Sequence, residues 1–466
     1  MGRIARTLRW QGPGGAREVL RLAWPLILGN SFWTLQITLD RVLLSRADSE
    51  LVGAAMAAAL LFWTPITLLQ YTANYATTFV AQYTGAGMHK RVGPVVWQAL
   101  YVSLAAGLGF LALLPVADEI VALGGHTAEL QAHEATYFRC LCFAALPTLV
   151  TSAASSFFAG RGDSRTVLYL NGVGLAVNAP LAYAWINGYA GFPAAGIAGA
   201  GWATVVATSV TAVLSVALML RPRFRKEFAA ADWRFDGMLC LRLLRFGLPN
   251  GVVVSLDTGV FTAFLFLVGR IGAVELDATS ITFTLNLISF LPIMGVGQAV
   301  GILVGQYLGD DRPRNAERSA WNGYVIALIA MGAATMVYLL FPDALAWIFR
   351  TSAKVERWEQ VRVLIPVLLR YVVVYSLFDC TNLVFSFALR GAGDTVFVTL
   401  ASFVLSCLIM VVPTWFAWRL GWGLFWPWGF ATAYIIALAT AILLRFLQGR
   451  WRLMRVIEPA HILATD

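Results

Sequence analysis

Val80-Ala81-Gln82-Tyr83-Thr84-Gly85 and Val304-Gly305-Gln306-Tyr307-Leu308-Gly309 lie 224 residues apart and share the pattern Val-x-Gln-Tyr-x-Gly. At the same offset, Arg21, Pro25, Ser31, Thr34 and Arg46 fall on Arg245, Pro249, Ser255, Thr258 and Arg270, and Trp97 falls on Trp321. At an offset of 231, Gly160-Arg161-Gly162-Asp163 meets Gly391-Ala392-Gly393-Asp394. Apolar stretches agree by chance, but polar pairs, prolines and tryptophans in matching order do not. The chain is therefore a duplication with a long period.

The segments around these markers are apolar. Of 466 residues, 59% are hydrophobic and 13% charged, and the mean hydropathy is +0.72. A soluble domain carries about 25% charged residues, so this chain is suited to lipid. A span needs roughly 20 apolar residues. Twelve runs qualify: 19–44, 51–83, 94–116, 135–159, 166–187, 195–220, 241–269, 278–308, 320–342, 363–389, 395–418 and 424–447. Pro25, Pro65, Pro180, Pro249, Pro292 and Pro366 fall inside them. Each removes a helix hydrogen bond and favours a kink. The first run follows Arg3, Arg6 and Arg9, is too long for a signal-peptide core, and reads as a retained first helix.

Lys and Arg are distributed unevenly. One set of loops and tails holds Arg3 to Arg21, Lys90-Arg91, Arg161 to Arg165, Arg221 to Arg245, Arg312 to Arg318, Arg390 and Arg445 to Arg455. The opposite loops hold few, among them Arg46, Arg270 and Arg350. The positive-inside rule places both termini in the cytoplasm, which twelve spans also require. The net charge of +9 then orients the chain and attracts anionic headgroups rather than nucleic acid.

The expected fold is an all-α integral membrane protein, with twelve helices in two pseudo-symmetric six-helix lobes. The expected parts are residues 1–220, a basic cytoplasmic linker at 221–240, and residues 241–466. Six spans per half give repeats of like orientation, related by an axis along the membrane normal.

Elimination identifies the candidate chemistry. Of 25 acidic residues, only Asp40, Asp257 and Asp379 lie well inside apolar runs. An acid in hydrocarbon costs roughly 2.5–3.5 kcal/mol on insertion scales. It persists where it lines a wet cavity, binds an ion or carries a proton. Tyr375 and Asn382 share a helix face with Asp379, and Ser255 and Thr258 flank Asp257. Together they offer oxygens to a hard cation such as Na+. A proton suits the same place, because burial disfavours a charged carboxylate. The other reading of these acids is a structural hydrogen bond between helices. Asp40 precedes Arg41, so a local salt bridge is its alternative role. Asn30, Thr34 and Gln36 share its helix, and Asn178 is a further cavity candidate, its other reading being a link between helices.

Other features read as structural. The five cysteines form no CxxC pair, and the four histidines have no metal-ligand spacing. The two GxGD segments lack the Lys-Ser/Thr of a phosphate loop. Their glycines fit tight turns, and their Asp fits a helix cap. Arg139 and Arg370, near span ends, fit snorkelling. The many aromatics fit an interfacial belt.

Taken jointly, these segments resemble the multidrug and toxic-compound extrusion (MATE) family over nearly the whole chain. The resemblance rests on Pro25 through Asp40-Arg41 to Arg46, the two Gln-Tyr-x-Gly segments, Arg390-Gly391-Ala392-Gly393-Asp394-Thr395, and Gly196 to Thr204. It implies efflux of lipophilic organic cations by alternating access, driven by Na+ or H+, in a bacterial inner membrane. Asp40 matches the first-helix acid of the family, and Asp257 the seventh-helix acid of related transporters. Asp379 matches the tenth-helix acid of the NorM-type branch, Tyr375 a tyrosine beside that cation site, and Asn178 a fifth-helix Asn. Ala182 stands where some relatives carry a fifth-helix aspartate, four residues after Asn178, which shifts the expected cation site to the second half. The expectation is thus a cofactor-free monomeric antiporter rather than an enzyme. A same-fold flippase for lipid-linked precursors is the alternative, which the scarcity of cations inside the spans disfavours.

Overall fold

The computed structural model describes residues 10–47, 49–122, 124–347, 349 and 355–458. Arg3, Arg6, Arg9 and Arg350 lie outside the described residues. Helices stand at every expected span: α1 (Ala16–Ala47), α2 (Leu51–Gly85), α3 (His89–Ala122), α4 (Ala128–Gly160), α5 (Ser164–Asn187), α6 (Gly196–Met219), α7 (Gly237–Ile271), α8 (Ala273–Gly309), α9 (Pro313–Leu340), α10 (Val355–Ala392), α11 (Thr395–Arg419) and α12 (Phe425–Leu447). No strand occurs among the described residues. Eleven of these helices are both long and apolar enough to cross a bilayer. The twelfth, α1, has 32 residues, but Asn30, Thr34 and Gln36 dilute its apolar run. Pro413 has no N–H to bond one turn back, and there α11 widens into a π turn over Ser406–Val411.

The first compact unit comprises the described residues of Met1–Ile27 together with Leu256–Arg455. Helix α10 lies at its centre, packed on α8, α9 and α12. Trp321, Phe385 and Phe446 interlock edge to face or tilted, with Phe385 and Phe446 centroids 4.6 Å apart. The first half of α1 is fastened here: Asn322 Nδ2 donates to Gly14 O at 2.9 Å, and the Tyr307 hydroxyl donates to Glu18 at 2.6 Å.

The second unit comprises Leu28–Ser255 with the described residues of Val456–Asp466. Here α4 holds the place that α10 holds in the first, packed on α2, α3 and α6. The first half of α7 belongs to it, with Asn250 Nδ2 donating to Tyr71 O at 2.9 Å. So does the tail: Val456 N–H donates to Gln82 Oε1 at 2.9 Å, and the Tyr83 hydroxyl donates to Glu458 at 2.7 Å. These units differ from residues 1–220 and 241–466 at the tail and inside α1 and α7. The physical reason is that the leading halves of α1 and α7 bury their polar groups away from the repeat that follows them.

The basic linker forms a short helix, Pro222–Glu227, and is tied to the second unit by Trp97 Nε1, which donates to Ala230 O at 2.9 Å. Below it, the Arg161 guanidinium sits 4.1–4.5 Å from the ring centres of Phe157, Phe224 and Phe228. That burial lowers its pKa to about 10.

The GxGD turns are alike in backbone but not in their acids. Gly162 and Gly393 take φ values of 84° and 110°, in the left-handed region where a side chain is strained. Asp163 caps α5, accepting from Thr166 N at 3.3 Å and from Thr166 Oγ1 at 2.7 Å. Asp394 does not cap α11, contrary to the sequence expectation. The buried Asp394 carboxylate is 2.6 Å from Nε of the half-buried Arg445, and the nearby guanidinium outcompetes a backbone N–H.

Candidate functional site

The polar groups of the first unit converge on α7 and α10. Asp257, in α7, is exposed, and Asp379, in α10, is half-buried; each lies inside an apolar helix. Each lies in the electrostatic reach of the other. The cation whose field reaches Asp257 is Arg390, whose guanidinium stacks over Phe387 at 4.6 Å.

Each carboxylate is held by one oxygen. Ser402 Oγ donates to Asp257 Oδ1 at 2.7 Å, and the Tyr434 hydroxyl lies 3.3 Å from the same Oγ. Asn382 Nδ2 donates to Asp379 Oδ1 at 3.3 Å, and Ser386 Oγ donates to Asn382 Oδ1 at 3.2 Å. The expected face of α10 is thus real for Asp379 and Asn382. Tyr375 is buried in reach of Asp379 and Tyr338, and its hydroxyl has no partner among the described residues. An unpaired buried hydroxyl costs about 1–3 kcal/mol. Tyr338 completes the wall, donating to Leu285 O at 2.9 Å and bonded to Ser289.

The flanking residues of α7 contribute less. The Ser255 hydroxyl is buried without a partner among the described residues. Thr258 is exposed, and its carbonyl receives Thr262 Oγ1 at 2.9 Å. As positions two before and one after Asp257, they leave the helix in other directions.

The remaining candidates, like Ser255, sit in the second unit. Asp40 is buried, and its Oδ1 has no partner among the described residues. It lies in reach of Tyr137, while Arg41 is exposed and forms no ion pair with it among the described residues. The local salt bridge is therefore absent. Asn178 is fully buried, its Nδ2 3.4 Å from Thr204 Oγ1 and its Oδ1 unpaired among the described residues. Thr34 is satisfied by its own helix, donating to Asn30 O at 3.2 Å, and Gln36 is half-buried.

Sequence reasoning missed Ser402, Tyr434, Tyr338 and Ser289. Each comes from a helix other than α7 or α10, and no spacing within one helix announces a contact across helices. Groups of three His, Cys, Asp or Glu able to hold a metal do not occur among the described residues. A hard monovalent cation would instead draw on carboxylate, hydroxyl and amide oxygens of the kind gathered here.

The chain matches the MatE family model over residues 25–184 and 249–416. It is similar to the "Probable multidrug resistance protein NorM" of Xanthomonas campestris pv. campestris, at 29% identity over 92% of each chain. It is also similar to the protein so named in Thermotoga maritima, at 25% identity over 96% of this chain and 95% of that one. Among solved structures, a MATE protein in the straight conformation superposes with a TM-score of 0.83 at 19% identity, over 95% of this chain and 96% of the other. An outward-facing multidrug resistance MATE transporter of the MOP superfamily gives 0.83 at 20% identity, over 96% and 98%. The matched segments fall one in each repeat, and the shared fold is that of twelve transmembrane helices. The chain belongs to the MatE family of multi-pass membrane transporters.

Proposed function

We propose that this protein is a secondary active multidrug efflux antiporter, exchanging lipophilic organic cations for Na+ or H+ by alternating access. The observation that carries this reading is the pair Asp257 and Asp379. Two acids in mutual electrostatic reach inside apolar helices repel one another until a cation arrives. An inward-moving ion relieves that repulsion in one state, and the cationic drug relieves it in the other. Coupling requires such a difference in affinity between states. Negative charge also favours cationic cargo over the anionic precursors a flippase would carry.

Na+ is the ion that the oxygen set suits best, since Tyr375 adds an unpaired hydroxyl beside the carboxylates; a proton needs only one of them. Asp40 contributes separately, with Asn178, Thr34 and Gln36 as cavity-lining polar groups of the second unit. Ser255 and Thr258 are secondary oxygens on α7. The protein works as a monomer in the bacterial plasma membrane, with both termini in the cytoplasm, and needs no cofactor and no nucleic acid. Ethidium efflux from proteoliposomes under an imposed Na+ gradient, and separately under a pH gradient, tests the reading. Efflux is expected under the Na+ gradient and is lost in Asp257→Asn and Asp379→Asn. Unimpaired efflux by both variants would refute the site.

A further inference from the structure

We infer that Ser402 and Tyr434 are positioning residues for ion coupling, holding one oxygen of Asp257 so that the other takes the ion. The inference rests on the antiport reading above. A serine hydroxyl has one proton, and an ionised carboxylate only accepts. At 2.7 Å the proton of Ser402 is therefore committed to Asp257 Oδ1. The Tyr434 hydroxyl, 3.3 Å from the same Oγ, must then be the donor to it. Two O–H dipoles in series, from α12 through α11, end on Oδ1. Both side chains are buried, so water does not compete for these bonds, and each strengthens the next.

Asp257 is itself exposed, and Ser402 is its hydrogen-bond donor among the described residues. Oδ2 is left without a protein donor among the described residues. A carboxylate with one oxygen fixed and one free presents a defined direction to an incoming cation, whereas an unheld one rotates. The same division recurs on Asp379. There Ser386 donates to Asn382, and Asn382 donates to Oδ1, again in series. Two acids on two helices with the same arrangement point to a shared purpose. The Tyr434 hydroxyl also lies in electrostatic reach of both carboxylates.

The test is the Na+ dependence of ethidium efflux in proteoliposomes for Ser402→Ala, Ser402→Thr, Tyr434→Phe and Asp257→Asn. Loss of a hydrogen bond to a charged group is worth roughly a tenfold change. Ser402→Ala is expected to raise the half-saturating Na+ concentration by about that factor, with the maximal rate kept within about twofold. Ser402→Thr, which retains the hydroxyl, restores the parental value, and Tyr434→Phe moves it in the same direction as Ser402→Ala. A half-saturating concentration unchanged in both Ser402→Ala and Tyr434→Phe, while Asp257→Asn is inactive, overturns the inference alone. So does a shift that Ser402→Thr fails to rescue. Parental efflux by Asp257→Asn would instead bring down the antiport site on which it rests. Should Ser402→Ala not fold, Tyr434→Phe carries the same readout.

Discussion

The Tyr83 hydroxyl donates to the Glu458 carboxylate at 2.7 Å, and its repeat counterpart Tyr307 donates to Glu18 at 2.6 Å. The same phenol thus finds an acid from opposite ends of the chain. Arg242 stands 224 residues after Glu18 and is ion-paired to Glu458. In the second unit the tail therefore supplies the carboxylate that α7 lacks, and Val456 and Ile457 are buried in the core beside Tyr83. Tyr83→Phe is expected to cost about 1.5–3 kcal/mol, seen as a lower thermal midpoint in detergent. Tyr307→Phe should cost a similar amount. If truncation before Val456 leaves that midpoint where it was, the tail is not part of the fold.

The first glycine of each GxGD segment marks a close crossing of helices. A Cβ at Gly391 would strike the Gly301 carbonyl of α8, and one at Gly160 would sit 2.6 Å from Thr77 O of α2. Backbone cannot yield as a side chain can. Gly160→Ala and Gly391→Ala are each expected to destabilise by about 1–3 kcal/mol. Gly332→Ala, with nothing within 4 Å of its Cβ, is the control that should leave the melting temperature unchanged.

The two acids of the repeated turn predict unequal penalties. Asp163→Ala removes a helix cap, worth about 1 kcal/mol. Asp394→Ala removes the buried partner of the half-buried Arg445 guanidinium, worth about 2–3 kcal/mol. Thermal unfolding of the two variants side by side checks the order; equal losses would mean that Arg445 finds another partner.

Asp40 carries a buried oxygen with no partner among the described residues. An amide of the same shape avoids burying that charge. Asp40→Asn is expected to raise the thermal midpoint while slowing ethidium efflux, the trade that a strained functional group makes. A variant that is both less stable and less active would mark Asp40 as structural.

Most of the fold could be read from single helices. Twelve apolar runs and the repeated Gln-Tyr, Trp and GxGD markers are local signals, and hydrocarbon forces each run into a helix. Asp257 and Asp379 were visible because charge within apolar sequence is conspicuous, and Asn382 because it lies one helical turn from Asp379. Three things were not legible. The relay through Ser402 and Tyr434 depends on contacts between α7, α11 and α12, and neither residue is unusual in its own helix. The pairing of Asp394 with Arg445 crosses 51 positions, so a motif shared with Asp163 misled. The allotment of the leading halves of α1 and α7 follows from side chains such as Asn322 and Asn250, whose partners lie far along the chain.

The claim that ion and cargo take turns at one pair of carboxylates is tested most directly by equilibrium binding. Ethidium affinity of the purified protein would be measured across a range of Na+ at constant ionic strength, for the parent and for Asp257→Asn/Asp379→Asn. The account predicts that Na+ weakens ethidium binding to the parent and leaves the double variant unaffected. Ethidium affinity that ignores Na+ in the parent, or falls equally in the double variant, would contradict it.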